Sequence, residues 1–144
     1  MTRRQMRELV FHQLFLAEFY PIPDKAEQCR IYLEELGIPE EEQRFGESLP
    51  EDDRALLLAR CDDVRAHIEE LDAKINEASD GWKTSRMGRV DLAILRLALY
   101  EILYDEEVPV KVGINEAVEL AKLYGGDDSP SFVNAILGKL AKTL

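Results

Sequence analysis

Residues 90–104 read VDLAILRLALYEILY, and this stretch decides the fold. Wrapped at 3.6 residues per turn, it places apolar side chains all round a helix, with only Asp91, Arg96 and Glu101 carrying charge. Such a helix belongs in the centre of a bundle. The charged residues inside it break the run of roughly 20 apolar residues that a membrane span requires.

Working outward from it, Pro109 blocks continuation of the helix and opens the way to another over 112–124, with Ile114, Ala117, Val118 and Ala121 on one face. Gly125-Gly126 predicts a left-handed stop. Ser129 then reads as an N-cap and Pro130 as the first helical position of a last helix, through Phe132, Val133, Ile136, Leu137 and Leu140. On the other side a turn spans 84–88, and Asp80-Gly81 ends a periodic segment. There Leu57, Cys61, Val64, Ile68, Leu71, Ile75 and Ala78 alternate steps of four and three, predicting one long helix over 57–78 with a narrow seam. Residues 38–50 read as a connector. Asp24 caps a helix over 25–36 that Gly37 stops, and Pro21 and Pro23 end a first helix over 3–19 whose face carries Met6, Val10, Phe11, Leu14, Phe15 and Ala17. No segment alternates with period two, so the fold class is all-α. At 144 residues and 46% hydrophobic, the chain suffices for a single domain, 1–144, stabilised by packing alone.

Little in the chain supports catalysis. Cys29 and Cys61 stand apart without a CxxC, which argues against a zinc ribbon or a disulfide framework. His12 and His67 lack a ligand partner at helical spacing and read as surface histidines. The turn 125–128, Gly-Gly-Asp-Asp, lacks the lysine of a phosphate-binding loop, and Glu116 with Glu119 makes a hydrated helix face. No enzyme activity, metal or cofactor is expected. The N-terminus shows no apolar stretch followed by a small-residue cleavage site, so a cytoplasmic location is expected.

The net charge of −11 is unevenly placed. Residues 24–80 hold 7 basic and 18 acidic groups, whereas residues 1–23 hold three basic and two acidic. Within 81–96, Lys83, Arg86, Arg89 and Arg96 oppose only Asp91. Two modestly basic regions therefore flank an acidic centre, a pattern that suits either ordinary solvated faces or contact with phosphates.

The last third also carries an ordered series of motifs: Trp82-x-x-x-Arg86, ILRLALYE at 94–101, Val108-Pro109, INEAVELAK at 114–122, and Ser129-x-x-Phe132-Val133-Asn134. In this order and spacing they resemble the NusB family of transcription antitermination factors. The opening Arg3-Arg4-Gln-Met-Arg7-Glu8 is similar to that family's arginine-rich start. The chain departs from the family pattern at Leu92, where arginine is frequent, at Gly113, where alanine is usual, and at Ser131, where a basic residue often precedes the phenylalanine. The resemblance implies a helical bundle of about seven helices in two small subdomains and no catalysis. It also implies binding of boxA-type single-stranded RNA together with the ribosomal protein NusE. Other Nus factors and RNA polymerase would be engaged indirectly, no membrane is involved, and the reading admits a homodimer.

The residues supply chemistry of that kind. Single-stranded RNA is held by cations on phosphates and by aromatic rings on which bases stack. Arg3, Arg4 and Arg7 at the first helix are the candidate phosphate contacts. Phe132 is a candidate stacking platform or a core residue, and Asp128 a candidate acceptor for a base amino group. Asn115 and Asn134, unfavourable inside helices, are expected to be buried in hydrogen bonds between helices, and Arg96 and Glu101 to be structural. The competing reading is a helical protein-interaction adaptor that does not bind RNA directly.

Overall fold

A computed structural model describes residues 2–19 and 50–144. Among them lie six helices and no strand: α1 (Arg3–Phe19), α2 (Glu51–Ala66), α3 (Ile68–Ala78), α4 (Arg89–Tyr104), α5 (Val110–Tyr124) and α6 (Ser129–Lys142), with a short 3-10 turn at Thr84–Arg86. The expected helix over 25–36, its flanking stops, the connector as far as residue 49 and Cys29 lie outside the described residues. The chain divides into two compact units, Met1–Asp62 and Asp63–Leu144.

In the first unit α1 begins with a reciprocal cap that the sequence reading missed. The Gln5 amide N–H donates to Thr2 Oγ1 at 3.1 Å, while Gln5 Oε1 accepts from the Thr2 N–H at 2.9 Å. This Thr-x-x-Gln box satisfies two donors at the helix start and sets Arg3 and Arg4 in its first turn. Leu9, Val10, Phe11, Leu14, Phe15 and Leu16 are buried, with the Phe11 and Phe15 rings stacked at 6.2 Å between centroids. His12 is buried too, contrary to the surface position expected of it, because the apolar face is wider than the Met6–Val10–Leu14 stripe. Burial pushes its pKa down to about 4.

In the second unit α4 is the central element, packed against α3, α5 and α6. Its buried residues run from Leu92 through Leu95 and again from Leu97 through Glu101, so nearly its whole circumference is covered. Leu92 accounts for one departure from the family pattern, since its side chain is buried in this core. Arg96 reaches α3 through two parallel bonds, Nε to Asp72 Oδ1 at 2.8 Å and Nη2 to Asp72 Oδ2 at 2.7 Å. The fork geometry fixes the register between the two helices. At Gly113 the helices approach closely, and a Cβ there would lie 3.1 Å from Ile102 Cγ1.

The long helix expected over 57–78 is two helices. At His67 the chain tightens, with its N–H donating to the Val64 carbonyl three residues back at 3.1 Å. Its Nδ1–H donates to the Asp63 carbonyl at 2.8 Å, and its ring packs on Tyr104 at 4.4 Å and Tyr100 at 6.0 Å between centroids. The two tyrosine hydroxyls donate to Asp63 and Glu70. Accepting that bond, Glu70 pushes the Tyr104 pKa upward. The apolar seam survives the break because Val64, Leu71 and Ile75 all remain buried.

Three further expectations are corrected. Asn115 and Asn134 are exposed, so neither ties helices together from the interior. Gly125 is extended, with φ −91° and ψ 177°, and not left-handed. Glycine is needed there for space: a Cβ would overlap the Ser129 side chain and sit 2.8 Å from the Ala121 carbonyl. The cap position of α6 is accordingly Asp128, and Ser129 lies inside the helix with its hydroxyl accepting the Gly126 N–H at 3.0 Å.

Candidate nucleic-acid interface

The site residues read from the sequence divide between the two units. Arg3 and Arg4 are exposed in the first turn of α1, where guanidiniums and the helix's positive end together favour phosphate. Arg7, one turn later, is only 9% exposed, so its side chain is largely committed to the protein interior. Asp128 and Phe132 belong to the second unit, at the start of α6.

Several local structures aim Phe132 and its surroundings. After α3, Asp80 and Gly81 both take positive φ, 46° and 94°, and reverse the chain. Asp80 is held by an ion pair with Lys139 of α6. The Ser79 hydroxyl donates to the Trp82 carbonyl, and Asn76 Oδ1 accepts the Thr84 N–H at 2.8 Å. These bonds fix the backbone on both sides of Trp82, a residue that is 58% exposed. Trp82 meets Phe132 edge to face, with 6.3 Å between ring centroids and 78° between planes. Phe132 is half-buried.

The pair forms one wall of a groove of about 390 Å³, lined also by Arg86, Gly88, Asp91 and the Gly126–Asp128 turn. Arg86 sits at the end of the 3-10 turn, which is anchored by buried Met87. Trp82, Arg86 and Asp91 were legible only as a motif and local charge. Their meeting with Phe132 and Asp128, some forty or more positions away, depends on the packing of α6 beside α3 and α4. The arrangement presents two aromatic surfaces, polar acceptors and a cation, which is equipment for binding a flat ring. Among the described residues no group of three or more His, Cys, Asp or Glu is placed to hold a metal, and no helix is long and apolar enough to cross a membrane.

Comparison with known proteins places this architecture among its relatives. The NusB family profile matches residues 4–142. The transcription antitermination protein NusB of Agathobacter rectalis is 48% identical over 141 residues, covering 98% of this chain and all of that protein. The NusB of Lachnoclostridium phytofermentans is 47% identical, covering 97% and 98%. Among solved structures, NusB of T. maritima superposes with a TM-score of 0.77 at 31% identity over 99% of this chain and 92% of that one. A chain from the crystal structure of the antitermination factors NusB and NusE in complex with dsRNA superposes with a TM-score of 0.69 at 25% identity, covering 99% and 97%.

Proposed function

The chain belongs to the NusB family, and from that premise we propose that it is an RNA-binding adaptor of transcription antitermination. It binds boxA-type single-stranded RNA together with NusE, and so supports processive elongation, notably of ribosomal RNA operons. It works in the cytoplasm, without catalysis, and touches RNA polymerase and the other Nus factors through the assembly.

The observation that carries the RNA part of this reading is the edge-to-face pair of exposed Trp82 and half-buried Phe132 beside Asp128 and Arg86. A stacking base gains about 1 to 3 kcal/mol on such a ring, while Arg86 is placed to meet a phosphate at the rim. Arg3 and Arg4 add cations on a helix start, and Arg7 contributes mainly by holding that helix. The most acidic stretch, residues 24–80, lies elsewhere in sequence, and at the groove itself phosphate is confined to the rim beside Arg86 by the carboxylates of Asp91, Asp127 and Asp128. The test is fluorescence anisotropy of a labelled boxA RNA against a permuted RNA of equal composition. The reading expects boxA to bind more tightly, and equal affinities for both would reduce the protein to a nonspecific or purely protein-binding adaptor.

A further inference from the structure

One residue of the groove carries a carboxylate oxygen that is short of a partner. Asp91 Oδ1 is buried, and among the described residues it accepts no hydrogen bond. A buried acceptor left unmade costs about 1 to 3 kcal/mol, more when charged, so a donor belongs there. Asp91 lines the groove between the aromatic pair and the Gly126–Asp128 turn. A Cβ at Gly88 would make ordinary contact with Asp91 Oδ2 at 3.8 Å, and one at Gly126 would meet nothing within 4 Å.

We propose that this groove takes a single nucleobase bearing an exocyclic amino group, with Asp91 as the residue that selects it. The inference rests on the RNA-binding reading above and adds which chemical class of base the site accepts. Three carboxylates, Asp91, Asp127 and Asp128, share the groove with one guanidinium, Arg86. That balance repels a phosphate from the interior, so the base edge enters and the backbone stays at the rim. Trp82 and Phe132 give the ring its stacking surface. The amino group of cytosine donates to the Asp91 carboxylate, whereas uracil turns a carbonyl oxygen toward it.

The chain contains one tryptophan, Trp82, so its fluorescence reports occupancy of the groove directly. The experiment titrates the full chain with oligocytidylate and oligouridylate of ten nucleotides, reading Trp82 emission and, in parallel, anisotropy of the labelled RNAs. The two pyrimidines differ at the position that faces Asp91. The proposal expects oligocytidylate to quench Trp82 and to bind on the order of tenfold more tightly, the lower range for a hydrogen bond to a charged group. Asp91→Asn, whose amide both donates and accepts, brings the two affinities within about threefold at a temperature where the variant is folded.

A preference for oligouridylate overturns the proposal, as does an unaltered ratio in Asp91→Asn. Should that variant fail to fold, the ratio in the unsubstituted chain still decides. RNA binding seen by anisotropy with Trp82 emission unmoved rejects the groove and leaves the RNA-binding function standing. Absence of binding to these RNAs and to boxA RNA rejects both. Quenching by NusE alone, with neither RNA affecting Trp82, overturns the base pocket and assigns the groove to a cationic side chain of a protein.

Discussion

Replacing Phe132 by alanine separates recognition from packing. A fully buried phenylalanine costs about 3 to 5 kcal/mol when cut to alanine. Phe132 is only half-buried, and part of its packing is the edge-to-face pairing with Trp82, worth about 0.5 to 1.5 kcal/mol. A loss of about 2 kcal/mol of stability follows, a fall in melting temperature of roughly 5 to 10 °C for a chain of this size. RNA affinity at 20 °C, where the variant remains folded, falls further than stability explains, by about 1 to 3 kcal/mol or 5- to 150-fold. The assay pairs a thermal melt followed by circular dichroism with anisotropy of labelled boxA RNA well below the transition. A melting temperature lowered by 15 °C or more with undiminished RNA affinity at 20 °C would refute the reasoning and return Phe132 to the core.

Three other perturbations follow from the same geometry. Arg3→Gln with Arg4→Gln flattens the logarithmic salt dependence of RNA binding by about 0.7 for each phosphate that is no longer neutralised, whereas Arg7→Gln acts chiefly on stability because that side chain is buried; salt titrations and melts of the variants distinguish the two effects. Arg96→Met strands Asp72 and costs about 1 to 3 kcal/mol, less than a fully buried pair because both side chains keep some exposure, and the double variant with Asp72→Leu recovers part of it in denaturant unfolding. His12 is held neutral in the native state with a pKa of about 4 against 6.5 unfolded. The unfolded chain therefore binds more protons in between: the contribution is complete above pH 6.5, shrinks as pH falls, and is gone below pH 4, up to roughly 3 kcal/mol. His12→Leu should remove that part of the slope in urea unfolding measured across pH 4–7.

Much of this architecture was legible because helices bury periodic faces. The apolar circumference of residues 90–104 located the central element, and the Pro109 and Asp80-Gly81 signals located two of its neighbours' ends within a few residues. What escaped the sequence was set by interactions distant along the chain. The break at His67 is supported by stacking on tyrosines of α4, which no local spacing shows. Gly125 was legible as a stop but not as a close approach to Ser129, since both uses leave the same letter in the sequence. Asn115 and Asn134 misled because low helix propensity was taken to require burial, while an exposed asparagine costs a helix little. Phe132 was singled out within the Ser129-x-x-Phe132-Val133-Asn134 motif, and Asp128 as an acceptor in the turn before it. Trp82 and Asp91 became part of their surroundings only when the fold brought 82–91 beside 126–132.

An adaptor whose RNA and protein ligands touch each other or a shared surface couples them, and the coupling is reciprocal at equilibrium. The most direct test is therefore a closed calorimetric cycle: boxA RNA titrated into the chain alone and into the chain saturated with NusE, and NusE titrated into the chain alone and into the RNA complex. The account predicts that each ligand tightens the other by the same factor, about 5- to 150-fold. Affinities for RNA and NusE that are each unchanged by the other would contradict it, even if both ligands bind.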